Sequence, residues 1–511
     1  MNAMLILLVS VVVLVLGYVL YGGWLARQWG VKADRTTPAH EFEDGRDFVP
    51  APPYVVLGHH FSSIAGAGPI NGPIQAAIFG WVPVLLWVLI GGIFIGAMHD
   101  FGALFASIRH KGQTLATVIQ ENVDGMAKRL FCIFAYLTLI LVVAAFASIV
   151  AGTFAVSPVP ADAAKAATVE MTNLANTRTA MISVLFIVVA VVFGLATRGR
   201  KIPVFANVLS AIVITIACGA ISGFHSLVAS GTTSKQLDRE SQAQPIAYGG
   251  MLLECLVAVI SLCAVAFVFS GYMDGTYTSP TQVFAAGLSQ MLGMIPGLAG
   301  TTDIAYALLI LAVSVFCLTS LDTATRLARY MFQELFTPQR VEISELTGWR
   351  KAMTNPWVAT IITVVLGVGL GMTGYQLVWP LFGAANQLLA ALGLLAVCAW
   401  LGNAGRNNKM FYAPMAFMLI VTLTSLGMTL YAKGVALAGG AFDAATVLQL
   451  LIALLLIILA VILAVKGFRT IFGRKGPGGP GDGGEATSSA CANPADEPFE
   501  NANLGFEDLN I

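Results

Sequence analysis

The chain has 511 residues, of which 57% are hydrophobic and only 11% are charged, and its mean hydropathy is +0.81. Soluble domains carry roughly a quarter of charged residues, so this composition indicates a polytopic membrane protein in a lipid bilayer. The 27 basic and 27 acidic residues balance, which argues against a nucleic-acid partner. The seven cysteines lack CxxC or Cys/His spacing, so neither a disulfide framework nor a zinc site is expected.

The chain begins with an apolar run, from Met1 to Ala26, without a preceding basic residue or a following small-residue cleavage site. We interpret it as a retained transmembrane helix rather than a signal peptide. Further spans are predicted near residues 54–78, 81–108, 129–156, 178–197, 203–230, 247–271, 302–333, 356–378, 380–402, 411–432 and 445–466. The total is about twelve helices, each near the ~20 residues that a bilayer requires. The apolar segment 282–300 is either a thirteenth span or a re-entrant hairpin.

Basic residues predict the orientation of the loops. They cluster at residues 109–111, 128–129, 198–201, 326–351, 406–409 and 466–475. Short loops rich in Lys and Arg face the cytoplasm, so these loops and the C-terminus are expected there. We therefore predict a transmembrane domain over residues 1–470 and an acidic, disordered cytoplasmic tail over residues 471–511.

Two otherwise apolar segments, residues 58–73 and 219–233, contain glycines, histidines and hydroxyls, and the first also contains prolines. A helix facing lipid gains nothing from such residues, because lipid cannot satisfy the backbone groups that a break leaves free. Interrupted helices, one in each half of a chain, are typical of the binding site of a secondary transporter. We expect the two segments to meet in one cavity, with Gly66, Gly68 and Gly223 at the closest approach.

A break at Gly66 to Pro69 exposes carbonyls on one half-helix and amides on the other. The amide end suits a carboxylate and the carbonyl end suits a cation, while a nearby histidine can relay a proton. In the alternative interpretation, the glycines allow close helix packing and the histidines are structural. The candidate residues for binding substrate or coupling ion are His59, His60, Ser62, Ser63, Gly66, Gly68, Asn71, Ser222, Gly223, His225, Ser226 and Glu254.

Carboxylates within the spans are a further signal, since an unpaired charge there costs at least ~3 kcal/mol. Glu254 is flanked by apolar residues and is the favoured proton carrier. Asp100, beside His99, is either a second proton carrier or an interfacial partner of Arg109 or another basic residue.

Other polar residues of the spans are candidates for a gate or an ion network. Asp322, Arg326 and Arg329 share a helix face, where they can form a gate, clamp a carboxylate or make a structural ion pair. Thr319 and Ser320 can coordinate sodium with carbonyls freed at the first break; protons are favoured, because such hydroxyls usually bond their own backbone. Asn386 and Gln387 suit interhelical bonding better than substrate contact.

The motifs exclude several function classes. No HExxH, GxSxG or Cys/His set is present, so we predict no enzyme, catalytic residue, metal or cofactor. A channel requires a pore lined by a ring of like groups, which this asymmetric chain lacks. A transporter of a small-molecule substrate is the first interpretation, and a membrane receptor for an extracellular carbon source is the alternative.

Four motifs resemble the carbon starvation protein A family. They are GHHFSSIAGAGPINGP, ITIACGAISGFHSLVASGTTSK followed by YGGMLLE, LDTATRLARYMFQE and WPLFGAANQLLA, between about Val55 and Ala390. The resemblance implies proton-driven uptake of peptides or pyruvate across the inner membrane, through an inverted-repeat bundle like that of amino-acid transporters. Family members carry additional helices after the basic loop, whereas this chain passes from Pro203 into its second interrupted segment within about twenty residues. Some helices near residues 200–210 are therefore expected to be missing.

Overall fold

The computed structural model of the protein describes residues 3–45, 47–160, 163–197, 222–337, 346–440 and 442–473. Within these ranges the secondary structure is helical, apart from one isolated bridge between Ala51 and Leu237. The main helices are α1 (Ala3–Trp29), α2 (Pro53–Ile64), α3 (Gly68–Ala76), α4 (Trp81–Arg109), α5 (Leu115–Asn122), α6 (Gly125–Phe154), α7 (Ala163–Thr197), α8 (Gly223–Gly231), α9 (Gly249–Phe267), α10 (Pro280–Gly293), α11 (Thr302–Phe336), α12 (Pro356–Gly371), α13 (Tyr375–Asn403), α14 (Tyr412–Ala438) and α15 (Ala444–Phe472). Short helices at Pro38–Glu41, Phe269–Met273 and Gly348–Met353 connect some of them.

Eight helices of the described ranges are long and apolar enough to cross a membrane. They are α1, α4, α6, α9 with its preceding turn, α11, α13, α14 and α15. Each corresponds to one of the twelve predicted spans, so the chain is a multi-pass membrane protein, as its composition indicates.

The other four predicted spans have different outcomes. Span 54–78 is divided into α2 and α3, and span 178–197 is the second part of the longer α7. Span 356–378 is the shorter, apolar α12; the chain turns at Gly374, whose φ of +104° favours glycine, and α13 then continues through Pro380. Span 203–230 lies largely outside the described residues, which resume at Ser222 just before α8.

Segment 282–300 forms most of α10, a 14-residue helix that begins at Pro280 and is capped by the hydroxyl of Ser279. A helix of this length is too short to cross a bilayer by itself, because about 20 residues are required. It packs instead against α3, α9 and α11. The predicted tail lies almost entirely outside the described residues, which end one residue beyond α15, at Gly473.

The helices separate into an interior and a lipid-facing set. Most residues of α6 and α13 are buried, and α6 packs against α11, α12 and α13. By contrast, α1 exposes a series of large apolar side chains, including Met4, Leu8 and Val12. In a bilayer such a surface lies against the acyl chains, so its exposure carries no penalty.

Candidate functional site

The first interrupted segment breaks where its glycines predict. Helix α2 ends at Ile64, Ala65 leaves the helical region with φ −73° and ψ 70°, and α3 starts at Gly68 with Pro69 in its first turn. Proline suits that position, because its missing N–H has no intrahelical acceptor there. The break therefore presents carbonyls at the end of α2 and amides at the start of α3.

A cavity of about 280 Å³ lies beside this break. Its volume is at the lower end of the ~300–1,000 Å³ of small-molecule pockets. Its wall includes Ile64, Gly66, Gly68, Gly72, Trp87, Val142, Phe146, Ser222, His225, Glu254, Trp379, Phe382, Asn386 and Gln387. We call it the central cavity. It brings together residues from both interrupted segments, as the paired interruptions predict.

The closest approaches differ from the prediction. A Cβ on Gly223 would lie 2.4 Å from the Ala390 nitrogen and the Asn386 oxygen, so Gly223 packs against the backbone of α13. A Cβ on Gly66 would instead meet the ring of Phe146. Gly68 has open space beside it. The three glycines therefore do not pack against one another as predicted: Gly66 faces Phe146, Gly223 faces α13, and Gly68 faces open space.

Four buried titratable side chains form a connected cluster at the cavity wall. Asp100 is fully buried, with one carboxylate oxygen 2.9 Å from Nδ1 of His99 and the other 2.9 Å from Nδ1 of His225. Nε2 of His225 lies 3.5 Å from a carboxylate oxygen of Glu254. Since His225 and Glu254 line the cavity while Asp100 and His99 lie behind them, the cluster runs from the cavity into the helix bundle.

This geometry bears on one of the two interpretations of Asp100, the pairing with Arg109. The residue is not a partner of Arg109, because Arg109 pairs at 2.8 Å with the buried Glu240. A carboxylate that accepts Nδ1–H from His225 leaves Nε2 of the neutral ring as an acceptor. One proton can then be held by Glu254 or by His225.

His60 occupies a separate place from the cavity wall. It is fully buried, its Nδ1 lies 2.8 Å from the hydroxyl of Thr233, and its Nε2 has no hydrogen-bond partner. Its ring packs beside Gly250, where a Cβ would lie 3.2 Å from the ring. His59 is less buried, and its Nδ1 also has no partner.

The serines near the first break make local and interhelical contacts. The hydroxyl of Ser62 donates to the carbonyl of His59 at 3.1 Å. Ser320 donates to the carbonyl of Ser63 at 3.3 Å, and Thr323 donates to the Ser63 hydroxyl at the same distance. Thr319 bonds the backbone carbonyl of Val315. Of the two hydroxyls predicted for a sodium cage, therefore, only Ser320 reaches the break.

The start of α8 is held by α13. Oδ1 of Asn386 accepts the backbone N–H of Phe224 at 2.9 Å, and its Nδ2 donates to the Ser222 hydroxyl at 2.8 Å. The hydroxyl of Ser226 donates to the carbonyl of Gly223 at 2.7 Å. Asn386 thus bonds between helices while lining the cavity, and Gln387 lines the cavity beside it.

The remaining predicted residues lie elsewhere. Asp322 and Arg326 form an exposed ion pair of 3.0 Å one turn apart, and Arg329 stacks on the ring of Tyr330. An ion pair between Asp322 and Arg326 is one of the arrangements that the spacing allows. Asn71, on α3, lines a different cavity with Tyr375.

Sequence reasoning missed the aromatic wall of the central cavity, formed by Trp87, Phe146, Trp379 and Phe382. Trp379 and Phe382 are separated by three positions on α13, and their ring centroids lie 5.2 Å apart. Their helical spacing within WPLFGAANQLLA was a usable signal. For Phe146, in a uniformly apolar helix, no local signal exists.

Comparison with known proteins identifies the family to which the chain belongs. The family model described as Carbon starvation protein CstA matches residues 2–214, 199–276 and 272–425. The chain belongs to the carbon starvation protein family. It is 29% identical to the peptide transporter CstA of Bacillus subtilis, over 77% of this chain and 84% of that one. It is 27% identical to the pyruvate/proton symporter BtsT of Escherichia coli, over 84% of this chain and 82% of that one.

The fold also aligns with a mutant of the manganese transporter of Eremococcus coleocola. That alignment has a TM-score of 0.45 and 15% identity, and it covers 84% of this chain and 99% of the other. The family and its named members are transporters, and this protein is accordingly a membrane transporter rather than an enzyme.

The alignments also bear on the segment near residue 200. The Bacillus subtilis alignment extends over 512 positions yet covers only 77% of this 511-residue chain. Many positions of the relative are therefore aligned with gaps in this chain. The first two matched segments of the family model overlap at residues 199–214. The coverage agrees with a chain that is shorter than its relative, and the overlap at residues 199–214 agrees with missing helices in this region.

Proposed function

We propose that the protein is a proton-coupled symporter that imports a small carboxylate-bearing nutrient, a short peptide or a pyruvate-like acid. The observation that carries the proposal is His225, whose ring lies between Asp100 and Glu254 at the wall of the central cavity. Two carboxylates and an imidazole in contact can hold and pass on a proton, and Glu254 brings that proton to the cavity surface.

The substrate carboxylate would bind beside the break. Gly66 and Gly68 line the cavity at the start of α3, where the free amides and the helix dipole favour an anion. The apolar wall of Trp379, Phe382 and Phe146 suits the rest of a small organic acid or peptide. Both substrate classes named in the relatives carry a carboxylate, which is the group that this end of the cavity recognises.

Coupling to protons is favoured over coupling to sodium. The hydroxyls of Ser320 and Thr323 already donate to Ser63, and Thr319 bonds its own helix. These groups serve helix packing in this arrangement. Two members of the titratable cluster, His225 and Glu254, line the cavity in contrast.

We further propose that the protein acts in the inner, plasma membrane during carbon starvation, with its basic loops and C-terminus in the cytoplasm. The cytoplasmic side would then include the start of α6, near Lys128, and the end of α13, near Arg406. A rise in transcript and protein on depletion of the carbon source is the expected response.

Uptake by proteoliposomes tests the transport mechanism. Purified protein should accumulate labelled pyruvate or a short peptide when a pH gradient is imposed, and an uncoupler should abolish the accumulation. Saturable binding without accumulation would instead support the alternative, a membrane receptor for a carbon source. Accumulation that needs sodium and ignores the pH gradient would contradict proton coupling.

A further inference from the structure

A second cavity, of about 270 Å³, lies beside the same broken helix. Helix α3 presents Gly68, Gly72 and Ala76 to the central cavity and Asn71 to the second one. The wall of the second cavity contains hydroxyl and amide side chains, among them Ser148, Thr153, Asn176 and Thr281, and no charged residue. We call it the polar cavity.

The two cavities follow each other along the helix axes. On α6 the central cavity contacts Val142 and Phe146, whereas the polar cavity contacts Ser148 to Ala155. At 1.5 Å per residue the centres of these stretches are about 10 Å apart. On α13 the order is reversed, since Tyr375 lines the polar cavity and Trp379 the central one. In the proposed orientation, the polar cavity is on the outer side, where substrate arrives.

Most polar groups of this wall have partners within the protein. Ser148 donates to the carbonyl of Gly371, Thr153 donates to that of Val150, and Thr172 bonds Tyr306. Asn176 donates to the carbonyls of Gly152 and Ala155. These groups shape the cavity and hold its helices together.

Asn71 and Tyr375 differ from these residues because each keeps a hydrogen-bonding group without a partner. Nδ2 of Asn71 and Nε2 of Gln75 both donate to the hydroxyl of Tyr375, at 3.3 Å and 2.9 Å. Since that oxygen accepts two hydrogen bonds, its own proton remains available to donate. Oδ1 of Asn71 has no hydrogen-bond partner, although the residue is only 1% exposed. A free acceptor and a free donor therefore lie side by side.

This pair matches one edge of an extended peptide, in which the N–H and C=O of one residue point to the same side. A 2-oxo acid anion such as pyruvate has no N–H or O–H to offer the asparagine oxygen. Resting on the transport function proposed above, we propose that the polar cavity is a binding subsite for peptide backbone, in which Asn71 accepts the N–H and Tyr375 donates to the C=O of the same residue.

Calorimetric titration of the full-length protein in nanodiscs with trialanine tests the subsite. Asn71→Leu removes the acceptor and Tyr375→Phe removes the donor; each should weaken Kd roughly three- to tenfold, the worth of one hydrogen bond. Tyr136→Phe is the matched control, because its buried hydroxyl bonds Thr363 away from both cavities. It should leave Kd unchanged.

A change in the ligand, combined with the protein variants, forms a double-mutant cycle. Trialanine methylated on the nitrogen of its central residue should bind the unmodified protein more weakly by a similar factor, and Asn71→Leu should remove that difference. If Asn71→Leu does not fold, the methylated ligand with Tyr375→Phe still tests the pair. Absence of trialanine binding, an unchanged Kd in the folded variants, or an equal methylation penalty in Asn71→Leu would overturn the subsite. Intact binding with no gradient-driven uptake would refute the transport mechanism and leave the subsite standing.

Discussion

Nδ1 of His225 lies 2.9 Å from the carboxylate of Asp100, and neither side chain is accessible to solvent beyond 1%. The sequence singles out the second interrupted segment and the carboxylate within a span separately. One hydrogen bond between α8 and α4 joins them. Because Asp100 accepts a hydrogen bond from Nδ1–H, it sets which nitrogen of His225 can exchange a proton with Glu254.

Asp100→Asn tests this positioning role. An asparagine amide can donate to Nδ1 of His225, which would move the ring proton to Nε2 and prevent the neutral ring from accepting a proton from Glu254. We expect proton-driven uptake to fall about 10- to 100-fold, as for other partners that orient a functional histidine. The pH dependence of uptake should change as well. A loss of protein stability with an unaltered pH profile would indicate a purely structural role.

Glu254→Gln should separate exchange from accumulation. The amide keeps the size of the side chain but cannot carry a proton, so substrate should still exchange across the membrane while a pH gradient no longer concentrates it. His60→Gln is expected to have the smaller effect, because His60 does not line the central cavity. Glu170→Gln, on an exposed position of α7, is the control. Full accumulation in both Glu254→Gln and His60→Gln, with loss of uptake on sodium removal, would refute proton coupling.

Gly68 offers a test of the central cavity itself. A Cβ at this position meets no atom within 4 Å, so Gly68→Ala should insert and transport. Gly68→Leu places a bulky side chain at the cavity wall and should abolish uptake without abolishing insertion. The comparison is Gly369→Leu, on the exposed face of α12, which also has open space beside it. Substantial uptake by Gly68→Leu would mean that substrate does not pass this cavity.

Gly223 should be required for packing. Even the methyl group of alanine would lie 2.4 Å from backbone atoms of Asn386 and Ala390, which cannot move aside as a flexible side chain does. Overpacking of this kind costs about 1–3 kcal/mol, so Gly223→Ala should lower the thermal midpoint of the detergent-solubilised protein. Gly427→Ala, where a Cβ meets nothing, provides the reference. Equal midpoints in the two variants would contradict the close approach of α8 and α13.

The C-terminal tail carries a natural reporter of orientation in Cys491. Cys132, Cys255, Cys263, Cys317 and Cys398 are buried. Cys218 lies outside the described residues and is replaced in a Cys218→Ser background. In that background an impermeant maleimide should label the protein in inside-out vesicles but not in intact cells, and Cys491→Ser should remove that label. Labelling of Cys491 from outside intact cells would reverse the proposed topology.

The sequence by itself determined the membrane class, the positions of the eight long apolar helices and the first helix break. Hydropathy over ~20 residues and the placement of Gly66, Gly68 and Pro69 are local properties, and the bilayer forbids unsatisfied backbone except beside a cavity. The motifs from residue 58 to residue 390 also sufficed to indicate the family. The boundary between α12 and α13 was not predicted correctly, because an apolar run does not show which of its glycines turns the chain.

Only the tertiary structure decided which polar residues lie together. Asp100, His225 and Glu254 are separated by many residues on three helices, and no spacing rule relates such positions. The same holds for Asn71 and Tyr375, and for the contact of Gly223 with α13. In a mostly apolar chain a buried polar side chain is stabilised by a partner. Which partner it finds depends on how the helices pack, because packing sets the distances on which hydrogen bonds and ion pairs depend.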